Sequence, residues 1–444
     1  MAISVEKFLA DAEYLAALLP PGKHVLNICR DRYHFTVGLA AAIISNKVSL
    51  LPPTHTPEMV QQLKAFSADV FCLHDNDNCD IALPRLRYPA MPEVYPERSL
   101  ELYAANMAIP QIDAQQLVAI VFTSGSTGAP VPYSKNWGSL VHNVQAQAER
   151  LGLSASTNYS IVGTIPPQHM YGFESTVLLP LQSGNALSST QPFYPADICS
   201  ALEVMPSPRI LVSTPLHLRL LLEAELNIPE LSQVLSATAP LSTPLAHKVE
   251  ASCKAPLLEI YGSTETGQIA TRHTTQAAEW QLLPGVQLTQ HGERIWAEGG
   301  HLETPAPLND IIETVGPEYF FLHGRMQDLI NIAGKRSSLA NLNHHLNAIE
   351  GVIDGAFFMP DVVSHDHVTR LSACVVAPGL TGAAVLAALR VRIDPVFLPR
   401  PLLFVESLPR NSTGKLPREA LQKLIAGYMH QDLSSITQGL KNTL

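Results

Sequence analysis

The apolar run Leu117-Val-Ala-Ile-Val-Phe122 leads directly into Thr123-Ser-Gly-Ser-Thr-Gly128. The run has the length and residue types of a buried strand, and the small hydroxyl and glycine residues after it predict a tight loop at the strand's carboxyl end. In an open α/β sheet that is the edge where ligands sit. Gly125 and Gly128 let the backbone come close to a ligand, successive N–H groups can form an anion nest, and Thr123, Ser124, Ser126 and Thr127 add hydroxyl donors. The composition suits a polyphosphate. No Gly-Lys-Ser/Thr follows, so the loop is not of the Walker type. Taken alone, the hexapeptide reads equally well as a flexible connector.

The flanking pattern supports an α/β fold. Residues 5–17 have helical apolar spacing, His24–Cys29 reads as a strand, Tyr33–Asn46 as a small-residue helix, and Val48–Leu51 and Val70–Leu73 as further strands. Asp75–Arg98, rich in Asp, Asn and Pro, reads as surface connection. After the loop, Trp137–Leu151 is an amphipathic helix by pattern. Ser160–Gly163, Arg209–Ser213, Gln233–Ser236 and Leu257–Ile260 are strand-like runs that each end in a polar or glycine-containing loop. Such loops converge along one edge of a mostly parallel sheet. From Gly292 the segments Glu293–Trp296 and Tyr319–Leu322 predict a small antiparallel sheet. The C-terminal stretch reads as a separate α+β unit, with helices near Ala340–Ile349, Ala383–Val391 and Pro417–Gly427 and strands near Ala356–Met359 and Ser372–Val376.

The totals exclude several function classes. A chain of 444 residues exceeds one compact core and predicts two or three domains. A formal net charge of −10 supplies no long basic face, which argues against a nucleic-acid partner. Cys29, Cys72, Cys79, Cys199, Cys253 and Cys374 lack CxxC spacing, so neither a zinc site nor a disulfide framework is expected. Acidic residues interrupt the first turn of the chain, and the longest apolar run, Val37–Ile44, falls short of the ~20 residues of a spanning helix. No membrane partner is expected, and the location expected is cytoplasmic.

Four further stretches follow the loop in order: Pro167-Gln-His169-Met-Tyr-Gly172, Tyr261-Gly-Ser-Thr-Glu-Thr-Gly267, His323-Gly-Arg325-Met-Gln327-Asp-Leu-Ile330 and Leu408-Pro-Arg-Asn-Ser-Thr-Gly-Lys415-Leu-Pro-Arg418. Singly, each is a plausible turn or a solvated charge. In series, from about Ile120 to Arg418, they resemble the adenylate-forming superfamily of acyl- and aryl-CoA synthetases, peptide-synthetase adenylation domains and beetle luciferases. The resemblance implies a large domain, 1–326, of mostly parallel α/β sheets with a small β subdomain, then a small mobile α+β lid, 327–444. It also implies two reactions. A carboxylate attacks the α-phosphate of ATP to give an acyl-adenylate and pyrophosphate, and a thiol then displaces AMP. Because the first step brings two anions together, the site must neutralise charge and hold the reactants in line.

The resemblance carries over residue by residue. Thr123, Ser124, Gly125, Ser126, Thr127 and Gly128 would hold phosphate. Tyr261 would stack on adenine beside Gly262 and Ser263, Thr264 would meet a phosphate oxygen, and Glu265 would bind Mg2+. An aromatic face suits a purine, and a carboxylate suits a hard cation shared with phosphates. Ala237, Thr238 and Ala239 resemble the adenine-edge loop, with alanine and threonine in place of the usual paired glycines. Asp310 and Arg325 match the ribose contacts, Asp310 in Leu308-Asn-Asp310 rather than Thr-Gly-Asp. Gln327 matches the interdomain hinge, Lys415 the lysine that bridges carboxylate and α-phosphate, and Gly334, Lys335 and Arg336 the pantetheine path. His169, Gly172 and Gly262 would border the acid.

One departure stands in the phosphate loop. The family pattern Gly-x-Pro-Lys-Gly appears here as Gly128-Ala-Pro-Val131-Pro-Tyr-Ser-Lys135. Either Lys135 reaches the pyrophosphate from a shifted position, or the backbone nest and Mg2+ suffice. Amino-acid-activating members place an Asp near the His169 motif. Nothing here clearly plays that part, though Glu174 lies close, so an aryl or fatty acid is favoured. CoA and carrier proteins share the phosphopantetheine arm, and the sequence does not separate them. Two alternatives are an adenylating enzyme with a non-thiol second step and a catalytically idle binding protein. Val131 favours the idle protein, whereas Glu265 and Lys415 speak against it.

Overall fold

In the computed structural model, residues 2–92, 109–124, 130–153, 157–292, 294–326, 329–332, 335–359, 371–411, 414, 416, 417, 419–425, 427 and 428 are described. The first sheet contains β1 (His24–Asn27), β2 (Val48–Leu51), β3 (Val70–His74), β4 (Arg85–Arg87), β5 (Leu117–Ser124) and β6 (Pro130–Asn136), in spatial order β4-β3-β1-β2-β5-β6. Its neighbours are parallel except β5 and β6, which are antiparallel. β2 and β3 are buried along their whole length, which is why apolar residues dominate them and make them easy to recognise. β4 falls inside the stretch read as connection, because Arg-Leu-Arg offers no apolar period. β6 likewise lacks a strand pattern in the sequence, since Pro130 and Pro132 argue against a strand. It lies at the sheet edge, where proline is tolerated.

The second sheet begins with β7 (Ser160–Gly163), β8 (Ala186–Leu187), β9 (Arg209–Ser213), β10 (Gln233–Ser236) and β11 (Leu257–Ser263), all parallel to their neighbours. β12 (Gly267–Arg272) and β13 (Trp280–Leu282) continue it antiparallel. β14 (Val286–His291), β15 (Arg294–Gly299) and β16 (Ala306–Pro307) form a small antiparallel sheet of their own. β17 (Asp310–Val315) and β18 (Tyr319–Arg325) return to the large sheet beside β13. The expected antiparallel sheet therefore splits. Arg294–Gly299 belongs to it, whereas Tyr319–Arg325 does not, because the fully buried Phe320 ring stacks on Trp280 at 6.5 Å.

Helical turns run over 170–183, with a π-helical segment at Phe173–Leu178. Beyond the second sheet come the hairpin β19 (Leu329–Ile332) and β20 (Lys335–Ser338), the helix Leu339–Asn347, and a sheet of β21 (Asp354–Phe358), β22 (Ser372–Val376) and β23 (Leu402–Phe404). Ile330, Leu342, Leu346, Phe357, Val385 and Leu389 pack into a core of their own. Among the described residues, no helix is long and apolar enough to cross a membrane.

A buried arginine ties the first sheet's flanking helix to the second sheet. Arg32 begins the helix Arg32–Ile44, which is capped by the Asp31 carboxylate, and is fully buried. Its Nη2 donates to the carbonyls of Gly163 (3.1 Å) and Ile165 (2.9 Å), and its Nη1 to that of Thr190 (3.1 Å). The guanidinium thus fixes the segment that leads from β7 to His169. Removing it strands buried carbonyls, so Arg32→Met should cost about 3 kcal/mol of unfolding free energy. Chemical denaturation checks this, and a loss below about 1 kcal/mol would contradict the bridging role.

Candidate active site

The site forms where strand ends and hairpins of the two sheets meet. β5 carries Thr123 and ends at Ser124, which pair with Val131 and Pro130 of β6. The connection between them holds Gly125, Ser126, Thr127 and Gly128, which lie outside the described residues. β10 runs into Ala237, Thr238 and Ala239, and Thr238 adopts a left-handed φ of +79°. That backbone is strained for a β-branched residue and explains why glycine is usual in this loop. β11 carries Tyr261, Gly262 and Ser263, and β12 starts at Gly267, so Thr264, Glu265 and Thr266 make the tip between them. A Cβ on Gly262 would lie 2.2 Å from the Gly267 carbonyl oxygen, so only glycine fits there.

Of the residues expected to contact nucleotide, Tyr261, Asp310 and Arg325 lie on strands of the second sheet. The Tyr261 hydroxyl donates to Asp310 Oδ2 at 2.7 Å, and its ring lies 5.6 Å from both Trp280 and Phe320. Asp310 on β17 is the direct cross-strand partner of Arg325 on β18. A separation of 49 residues between Tyr261 and Asp310 is therefore closed by sheet pairing.

Glu265 is half-buried. Burial alone would raise its pKa, but a hydrogen bond from Ser263, its own backbone, the Tyr133 hydroxyl and the Lys135 charge together hold it below the usual carboxylate range. It is thus held ionised, the form that suits a hard cation. Among the described residues, no three His, Cys, Asp or Glu side chains could hold a metal together, so Mg2+ at Glu265 would share its coordination with phosphate and water. The donor set fits Mg2+ delivered with ATP.

Beneath this tip lies a buried polar network that sequence reasoning missed. Lys135 is 8% exposed, and its Nζ donates to the Glu265 carbonyl oxygen at 3.3 Å. Its ammonium is thus engaged behind the Glu265 turn, which disfavours the alternative in which it extends to the pyrophosphate. Glu174, on the π-helical segment, is 2% exposed and sits beside Lys135 and Gln268. Burial pushes Lys135 down and Glu174 up, and the charge of each partner partly opposes the shift. Asn143 Nδ2 donates to the Gln268 carbonyl (2.8 Å), and His301 Nε2 lies 2.7 Å from the Thr266 carbonyl oxygen. Gln147 and Gln268 both donate to Ser175 Oγ. The available signal was that Val131, Tyr133 and Lys135 alternate, and so share one face of a strand.

The residues expected to border the acid and to form a lid are placed only in part. His169 is half-buried at the start of the helical stretch, and the Cα of Gly172 abuts the Pro166 carbonyl, where an added Cβ would lie 2.1 Å from the oxygen. Lys415, Gln327 and Gly334 lie outside the described residues. Gly414, the neighbour of Lys415, lies against the β9 end, where an added Cβ would be 3.4 Å from Leu216 Cβ and 3.8 Å from Thr214 Oγ1. Arg410 steadies that loop, donating to the Gly414 carbonyl (2.9 Å) and to both Asp354 oxygens (2.7 and 2.8 Å). Lys335 pairs with Asp394 within the small C-terminal unit, and Arg336 follows it on β20.

Burial pushes His301 down to about 4, with the Thr266 carbonyl only partly opposing. Its imidazole is therefore neutral in the fold but protonates near 6.5 in the unfolded chain. Between these values the unfolded state binds more protons, so stability falls as pH falls, by about 3 kcal/mol across the window from this group. His301→Gln, which keeps a donor for Thr266, should flatten part of that fall in thermal unfolding between pH 7 and 4. An unchanged slope would remove His301 as a source.

Comparison with known proteins places the chain in a family. The family model for AMP-binding enzymes matches residues 6–295. A 4-coumarate--CoA ligase from Rhodobacter capsulatus is 31% identical over 303 residues, covering 67% of this chain and 74% of that protein. A 2,3-dihydroxybenzoate-AMP ligase from Bacillus subtilis is 24% identical over 376 residues, covering 74% of this chain and 69% of that protein. The crystal structure of ATP-bound MatB from Rhodopseudomonas palustris matches with a TM-score of 0.77 at 20% identity, over 95% of this chain and 93% of that one. The family match over 6–295 and the relative at 31% identity together show that the chain belongs to the AMP-binding, adenylate-forming enzyme family.

Proposed function

We propose that the chain is an AMP-forming acid–thiol ligase that activates an aryl or fatty carboxylate with ATP and passes the acyl group to a phosphopantetheine thiol of CoA or a carrier protein. The observation that carries the reading is the β11–β12 hairpin, which holds Tyr261 against Asp310 and an ionised Glu265 on one short segment. In the first step a carboxylate oxygen attacks the α-phosphorus and the bond to pyrophosphate breaks. In the second a thiolate attacks the acyl carbonyl and AMP leaves.

Each residue has a defined task. Tyr261 offers its ring to adenine beside the Ala237–Ala239 loop, Asp310 and Arg325 take the ribose hydroxyls, and Thr123 to Gly128 with Thr264 receive the phosphates. Glu265 would hold Mg2+, which offsets phosphate charge when bound. Lys415 neutralises the approaching carboxylate and α-phosphate, and support comes from Gly414 resting against Thr214 and Leu216. Gln327 is the hinge between 1–326 and 327–444, a division supported by the separate core around Ile330, Leu342 and Phe357. Gly334, Lys335 and Arg336 line the thiol path after rotation. His169, Gly172 and Gly262 border the acid. A non-amino acid is favoured because Glu174, the carboxylate nearest to an ammonium-recognising role, already faces Lys135. The matched ligases named for 4-coumarate and 2,3-dihydroxybenzoate point to an aryl acid first.

Pyrophosphate release from ATP and Mg2+ should depend on one class within a panel of hydroxybenzoates, cinnamates, fatty acids and amino acids. Stimulation by CoA with thioester product identifies CoA as acceptor, and release without stimulation points to a carrier protein. No release with any acid would overturn the reading. Lys415→Ala should slow adenylate formation at least about a hundredfold while changing thioester formation from preformed acyl-adenylate less than about threefold. Equal losses would contradict a lid that serves two reactions in turn.

A further inference from the structure

The carbonyls of Glu265, Thr266 and Gln268 are held from below by side chains of three different segments. Lys135 comes from β6, His301 from the turn after β15, and Asn143 from the helix Trp137–Arg150. All three are buried. The network presses directly on the turn, since a Cβ at Gly267, whose φ is +69°, would lie 2.8 Å from Glu174 Oε1, 3.2 Å from Asn143 Nδ2 and 3.4 Å from His301 Nε2. Any slack in it moves the residues that the tip presents upward, Thr264 and Glu265.

Burying an ammonium is costly, and a neutral donor would satisfy a carbonyl equally well. What the charge adds is a fixed field behind the Glu265 carboxylate. Lys135 lies on the strand that carries Val131, four residues beyond the position where the family pattern has its phosphate-loop lysine. The cation of this strand is therefore displaced from the phosphate side to the rear of the metal-side turn, in a dry setting with Glu174 as its counter-charge.

We propose that Lys135 and His301 are positioning residues that fix the Glu265 turn, and that they set how tightly the enzyme takes Mg2+ with its nucleotide. The proposal rests on the reading of Glu265 as the Mg2+ ligand. It goes beyond that reading in assigning the affinity to residues that touch neither metal nor substrate.

The test compares Lys135→Met/Glu174→Gln, which removes the buried pair together, with the wild-type enzyme, and Glu174→Gln alone separates the effect of losing the carboxylate. One readout is the Mg2+ concentration giving half-maximal pyrophosphate release, and a second, free of turnover, is the Mg2+ needed to raise the unfolding temperature with a non-hydrolysable ATP analogue. Loss of Lys135 should raise both Mg2+ midpoints about tenfold, the scale seen when support behind a metal ligand is lost, while kcat at saturating Mg2+ changes less than about threefold. Unchanged midpoints in both readouts, or a fall in kcat that Mg2+ does not recover, would overturn the proposal. His301→Leu and His301→Gln give an independent pair. The leucine variant should shift the Mg2+ midpoint and the glutamine variant should restore it, and equal behaviour would count against positioning. Glu265→Gln separates the two levels. If it leaves the Mg2+ midpoint unmoved, the ligand reading and this inference fall together. If it moves the midpoint and the Lys135 variant does not, this inference fails alone.

Discussion

A charged lysine side chain shut away from water is the demand that the surrounding structure is built to meet. Lys135 touches the carbonyl of Glu265 and is flanked by the carboxylates of Glu174, Glu265 and Glu303. Desolvating that ammonium is tolerable only with counter-charge and acceptors at hand. The π-helical segment at Phe173–Leu178 carries Glu174 into that position, and π-turns recur at functional sites because they reset side-chain direction without ending a helix. β6, the helical stretch over 170–183 and the β11–β12 hairpin are thus coupled through one buried pair.

Arg32 applies the same principle elsewhere. Both cations act on backbone carbonyls, Arg32 at Gly163, Ile165 and Thr190, Lys135 at Glu265. Clamping a segment by its backbone leaves its side chains available for ligand. The segment leading to His169 and the Glu265 tip are each held in this way.

What could be read from the sequence follows from where each residue's information resides. Strands such as β2, β3 and β9 are almost wholly buried and read as short runs dominated by apolar residues. The Tyr261–Gly267 motif was legible because its members are consecutive. Only part of it is a turn, since Tyr261, Gly262 and Ser263 continue β11 and the next three residues form the tip. β6 was hidden by two prolines, and with it the alternation that places Lys135. The rest of the network was not legible. Asn143 and Gln147, four residues apart, form a polar stripe that a helical wheel assigns to solvent, yet both are at most 1% exposed because Gln268 and Ser175 face them. Only the fold brings His301 and Glu174 to the same place.

The position of β6 has a consequence for association between copies of the chain. An edge strand ordinarily offers a row of donors on which another strand can grow. Pro130 and Pro132 have no N–H, and two such positions in alternate register leave gaps in any ladder that a second chain could build there. The margin of the first sheet nearest the nucleotide loop is therefore a poor template for strand addition. That edge is protected from strand addition by the same residues that obscured the strand in the sequence.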